Sequence, residues 1–143
     1  MKILVAIDGS KDAVEGVRMS LDMAKAQGAE VILLAVIPIY PDIDLEITAR
    51  ARDSLERKLG SQAEQSLSKA KESFQAKGIS PKAVIINAGA IADEIVKMAE
   101  DEKIDLIIIG SRGMGATGRF SLGGTAMKII SHAPCSVLVA KAA

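Results

Sequence analysis

The chain predicts an α/β fold in which a parallel sheet is covered by helices on both faces, and three observations carry that expectation. Short, continuous runs of β-branched and aliphatic residues recur along the 143 residues, as strands buried on both faces require. Between them lie longer segments whose apolar residues stand three and four apart, the spacing of amphipathic helices. The two kinds of segment alternate, which is the pattern of right-handed strand-helix-strand crossovers.

Taken in order, Lys2 to Asp8 reads as the first strand, closed by Asp8-Gly9-Ser10. Ser10 is a natural N-cap, Asp12 falls in the first turn, and Val14, Val17, Leu21 and Ala24 form the apolar stripe of a helix ending near Gly28. Val31 to Ile37 is the second strand, stopped by Pro38-Ile39-Tyr40-Pro41, and an acidic, irregular connection follows from 42 to about 50. Leu55, Leu59, Ala63, Leu67, Ala70 and Phe74 then mark a long helix ending at Gly78, its charges on the solvated face. Ala83 to Ile86 is the third strand, and Ile91, Ile95, Met98 and Ala99 mark the third helix. Asp93 and Glu94 lie in the first turn of that helix, where carboxylates favour the dipole, so they read as helix stabilisers rather than an acid/base pair. Ile104 to Ile109 is the fourth strand, a helix around Thr125 to Ser131 carries Ile129 and Ile130 inward, and Cys135 to Ala140 is the fifth strand. Met19, Met23, Met98 and Met127 fall in helices and read as core filler.

Composition narrows the function. The length suits one domain over residues 1–143, with a sizeable core and no need of disulfides or metals. Lys plus Arg and Asp plus Glu both total 18, so no net charge draws the chain to nucleic acid or to an anionic membrane. Aromatic residues at 2% leave few platforms for stacking bases. A single cysteine, with neither a secretory signal nor an apolar run of about 18 residues, makes cytoplasmic residence the expectation. Cys135 reads as a buried structural thiol, and His132, with no second ligand at metal spacing, as a capping or surface histidine.

The stretch from Gly110 to Thr125 holds six glycines in sixteen residues between the fourth strand and the last helix. Bare backbone amides beside a helix N-terminus suit an anion such as phosphate. Gly113, Gly115 and Gly118 spell a dinucleotide fingerprint, but this is the last strand-to-helix turn and the next strand offers no carboxylate. Gly118 to Thr125 comes close to a P-loop, except that Gly124 stands where the lysine is required. Both patterns are rejected.

The spacing Gly110-x2-Gly113-x9-Gly123 resembles the nucleotide-binding signature of the universal stress protein family, in its ATP-binding subgroup. The likeness spans nearly the whole chain and includes Ile3 to Ser10, Val31 to Val36, Asp93 to Ala99 and His132 to Ala140. It implies a single doubly wound, Rossmann-like sheet of five parallel strands in the order 3-2-1-4-5, whose carboxyl-end crevice lies between strands 1 and 4. It further implies that Ala6, Ile7 and Asp8 line that crevice, with Asp8 near the ribose or a divalent cation. The Val36 backbone would contact adenine. Gly110, Ser111, Arg112 and Gly113 would meet the ribose and α-phosphate, with Ile109, Met114 and Gly115 beside them. Gly123, Gly124 and Thr125 would cradle the outer phosphates. ATP, with Mg or Mn, is thus the implied cofactor, and a homodimer formed through strand residues 135–140 the implied assembly. One position departs from the pattern: the residue after the last motif glycine is usually Ser or Thr, and here it is Gly124, with Thr125 one place on. Read without the resemblance, Asp8 is also an ordinary turn residue, the glycine run a structural loop, and Arg112 and Arg119 either phosphate partners or solvated charges. Two further readings of the whole stand beside an ATP-binding regulator: a slow ATPase or self-phosphorylating protein, and a nucleotide-free dimerisation or adaptor module. Neither a P-loop lysine nor an evident base favours rapid catalysis.

Overall fold

Alternating buried strands and amphipathic helices fold as their periodicity requires. The computed structural model describes residues 1–38, 49–111 and 123–143. In order these form β1 (Lys2–Ile7), α1 (Lys11–Gln27), β2 (Glu30–Pro38), α2 (Ala49–Gln75), β3 (Lys82–Ala88), α3 (Ile91–Asp101), β4 (Leu106–Gly110), α4 (Gly124–His132) and β5 (Ser136–Ala140). The connection after Pro38, expected to be acidic and irregular, lies outside the described residues up to position 48. So do Arg112, Gly113, Met114, Gly115 and Arg119.

All strand pairs are parallel, and the order is β3-β2-β1-β4-β5, the doubly wound, Rossmann-like arrangement. Successive side chains on a strand point to opposite faces, so β1 divides its residues between two cores. Ile3, Val5 and Ile7 join Val31, Leu33 and Ala35 of β2 under Val17 and Ala24 of α1 and Leu67, Ala70 and Phe74 of α2. Leu4 joins Ile32, Leu34, Ile107 and Ile109 under Ala92, Ile95 and Ala99 of α3 and Ala126 and Ile129 of α4.

Two glycines let α1 lie close to β4. A Cβ on Gly16 would stand 3.0 Å from Ile108 Cγ2, and one on Gly110 would stand 2.9 Å from Asp12 Cβ and 3.3 Å from the Ala13 nitrogen. Gly28, the C-cap of α1, is left-handed at φ 66°, as an αL cap demands.

Several expected inward residues face solvent. Val14 is 64% exposed, Met127 56% and Ile130 44%. The face of α1 on the sheet runs through Ala13, Gly16, Val17, Ser20 and Ala24, which turns Val14 outward, and α4 is a short helix on which Ala126 and Ile129 suffice to fill the contact. Met19, Met23 and Met98 do pack against the cores. Cys135 precedes β5 and is half-buried against the α3–α4 core rather than fully enclosed. Burial pushes its thiol pKa up, the negative charge of Asp105 adds to this, and a hydrogen bond involving the Ile107 backbone opposes it. Among the described residues, no helix is long and apolar enough to cross a membrane.

These contacts set a hierarchy of sensitivity. Phe74, fully buried beneath β1 and β2, should cost about 3–5 kcal/mol on truncation to alanine, whereas Val14→Ala should stay within about 0.5 kcal/mol. Urea unfolding monitored by far-UV circular dichroism measures both.

Candidate functional site

β1 is hydrogen-bonded to β2 on one side and to β4 on the other, so the chain leaves its carboxyl end towards one half of the sheet and returns to build the other half. Helices after β1 and β4 therefore diverge to opposite faces and leave a crevice between the two strand ends.

The β1 end of that crevice is a tight turn. Gly9 has φ 80°, a conformation that side chains disfavour, and the Ser10 amide donates to Asp8 Oδ1 at 2.8 Å. Ser10 Oγ accepts from the Ala13 amide at 3.1 Å, capping α1. Asp8 is thus held by the turn and still exposed at the crevice rim. One carboxylate oxygen serves the turn, and the group also lines the crevice.

The β4 end is held differently. The Ser111 amide donates to the Ala140 carbonyl at 3.0 Å, and the Ser111 carbonyl accepts from the Gly123 amide at 3.1 Å. Residues 111 and 123 thus meet directly, which sets the start of α4 beside the end of β4. Gly123 is the N-cap in an extended conformation, with no side-chain cap, and the first turn of α4 carries no acidic residue. The first intrahelical bond runs from the Met127 amide to the Gly123 carbonyl at 3.1 Å, so the amides of Gly124, Thr125 and Ala126 have no acceptor within the helix. A Cβ on Gly124 would meet nothing within 4 Å.

These elements enclose a cavity of about 730 Å³, within the range of small-molecule sites. Leu34, Val36, Ile91, Ile95, Ile109 and Ile129 give it apolar walls, and Gly123 to Ala126 bring the α4 N-terminus to its surface. Asp8 is the only titratable side chain among the described residues that line it. Of the positions singled out from the sequence, Ala6, Ile7, Asp8, Val36, Ile109, Gly110, Gly123, Gly124 and Thr125 all line this one cavity. Ser111 does not. It is 7% exposed, and its hydroxyl donates to Asp12 Oδ2 of α1. Arg112, Gly113, Met114 and Gly115 lie outside the described residues.

A wall that sequence reasoning missed comes from α2, through Leu59, Gln62, Ala63, Gln65 and Ser66. At 27 residues α2 is about 40 Å long, against about 30 Å for the nine residues of β2, and Leu67, Ala70 and Phe74 of its second half lie on the core, so its N-terminal part extends past the carboxyl ends of the strands. Helix length against strand length was the available signal. Gly110 also gains a second reason, since Asp12 and Ala13 of α1 leave no room for a Cβ there.

A shallow groove of about 150 Å³ between α3 and α4 gathers Asp93, Lys97, Glu100, Lys128 and His132. Among the described residues, no group of three or more His, Cys, Asp or Glu side chains is placed to hold a metal ion.

Comparison with known proteins agrees with this architecture. The family model described as the universal stress protein family matches residues 1–141. A universal stress protein of Methanocaldococcus jannaschii is 31% identical over 140 residues, spanning 98% of this chain and 81% of its own. The solved structure of hypothetical protein MJ0577 superposes with a TM-score of 0.85 at 31% identity, covering 99% of this chain and 96% of that one. The universal stress protein of Archaeoglobus fulgidus in complex with dAMP shares the fold at a TM-score of 0.70, 23% identity, and 99% and 98% coverage. A family protein of Arabidopsis thaliana with AMP bound does so at 0.73, 17% identity, and 100% and 92% coverage. With its model matched from residue 1 to 141 and its strand order that of a doubly wound sheet, the chain belongs to the universal stress protein family.

Proposed function

We propose that this protein binds ATP in the β1/β4 crevice and acts as a nucleotide-responsive regulator in stress physiology. The observation that carries the reading is the α4 N-terminus, whose amides at 124 to 126 lack helical acceptors and line a cavity with apolar walls. Partial positive charge from the helix dipole and three such donors suit phosphate, while Val36 and its apolar neighbours suit a purine. Two proteins of the same fold carry dAMP and AMP, which supports an adenine nucleotide as the ligand class.

In this reading the backbone around Val36 meets adenine, Gly110 lies under the ribose, and Gly123, Gly124 and Thr125 hold the outer phosphates. The neighbouring segment with Arg112, Gly113, Met114 and Gly115 completes the phosphate site. A Mg or Mn ion would be held by Asp8 together with phosphate oxygens, since Mg commonly uses one or two carboxylates and leaves the rest to phosphate and water. Such an ion would neutralise phosphate charge that no described lining side chain offsets. We read the site as one that holds a nucleotide rather than one that transfers phosphoryl groups rapidly, because Gly124 stands where a P-loop would carry its lysine.

The open space at Gly124 makes the departure from the family pattern testable. Gly124→Ser adds a hydroxyl without a clash and should tighten ATP about tenfold relative to ADP, the value of one hydrogen bond to a charged group. Thr125→Ala should weaken ATP selectively. Calorimetry with both nucleotides decides this, and equal effects on ATP and ADP would remove residues 123–125 from the outer-phosphate site.

The same reading includes a homodimer. β5 is a sheet edge that pairs, among the described strands, with β4, and Val137, Leu138 and Val139 are half-buried, so it is an apolar edge of the kind that templates pairing. Antiparallel pairing of two β5 strands about a two-fold axis covers it. Sedimentation at micromolar concentration should return twice the 15.0 kDa chain mass, and a monomer would contradict the pairing.

A further inference from the structure

Asp12 stands in the first turn of α1, where an acidic residue ordinarily needs no more explanation than the helix dipole. That role is met at the surface, yet Asp12 is only 9% exposed. Burying a carboxylate costs free energy unless hydrogen bonds replace water, and here they come from segments far away in the chain. Ser111, 99 residues on, donates its hydroxyl to Oδ2, and Ala142, 130 residues on, donates its amide to Oδ1 at 2.8 Å. The first glycine of the loop signature makes room for this arrangement, since a Cβ on Gly110 would strike Asp12 Cβ at 2.9 Å.

We propose that Asp12 is a positioning residue for the α4 N-terminus, acting through Ser111. The path is short and each step is a hydrogen bond. Asp12 holds the Ser111 side chain, the Ser111 amide is held by Ala140, and the Ser111 carbonyl holds the Gly123 amide at 3.1 Å. Gly123 caps α4, whose next amides line the cavity. The same carboxylate ties down Ala142, just beyond β5, so the crevice and the end of the edge strand share one buried anchor. The consequence for binding rests on the nucleotide reading above, and the consequence for the Gly123 amide does not.

The test uses Asp12→Ala, Asp12→Asn and Ser111→Ala, each read in two ways. Without nucleotide, hydrogen exchange at the Gly123 amide should speed up about tenfold in Asp12→Ala and Ser111→Ala, with β1 amides unchanged, since one charge-assisted bond has been removed from the path. Asp12→Asn should stay near wild type, because its oxygen can accept from Ala142 while its amide donates to the Ser111 hydroxyl, which serves as donor or acceptor. With nucleotide, both alanine variants should weaken ATP about tenfold and adenosine by less than about twofold. Their double variant should be no weaker than either, as expected of two residues on one path. Unchanged Gly123 exchange, an Asp12→Asn variant as damaged as Asp12→Ala, or parallel losses of ATP and adenosine would each overturn the proposal. If the wild type binds neither ligand, the functional reading fails, and Gly123 exchange alone decides the positioning role. If Asp12→Ala does not fold, Ser111→Ala interrogates the same path, because it removes one hydroxyl and no charge.

Discussion

The position of β1 between β2 and β4 is the constraint on which the molecule depends. Hydrogen-bonded on both sides and buried on both faces, β1 obliges the chain to build one half of the sheet outward from one of its edges and the other half from the other. The helices that follow must then diverge, and the crevice at the strand ends is what divergence leaves. No residue needs to create the cavity; the residues around it only decide what it holds.

In the proposed reading, what it holds is decided mainly by backbone. Asp8 is the one titratable side chain in the described lining, and the donors at the other side are main-chain amides left over by the start of α4. Amides fixed at a helix end need no reorganisation when an anion arrives, and they bring no charge that would need a counterion beforehand. A chain of zero formal net charge can therefore offer an anion site without a basic surface.

The strands, the helices and most of the cavity were legible because period and composition act locally. β-branched runs such as Ile107 to Ile109 have few other uses than a doubly covered strand, and the glycines from 110 to 124 marked the strand-to-helix turn at once. Strand order was not readable from spacing, since it depends on which face each crossover takes, and it came through resemblance. Contributions over long sequence separations were missed. The Asp12–Ser111 bond links α1 to the end of β4, Gln62 and Ser66 of the long helix α2 line the cavity, and Gly110 has no room for a Cβ because of a helix about 100 residues earlier. Ile130 was misplaced for a different reason, because a short helix at the rim of a sheet buries a narrower stripe than its apolar pattern suggests.

The central claim is that the crevice between β1 and β4, lipped by the α4 N-terminus, is the nucleotide site. Amide chemical shifts followed by two-dimensional NMR during titration with Mg-ATP test it most directly. The account predicts shifts concentrated at Ile7 to Gly9, Val36, Gly110 and Gly123 to Ala126, with the α3–α4 groove at Lys97 and His132 unmoved. Shifts confined to that groove, or none anywhere at millimolar ATP, would contradict it.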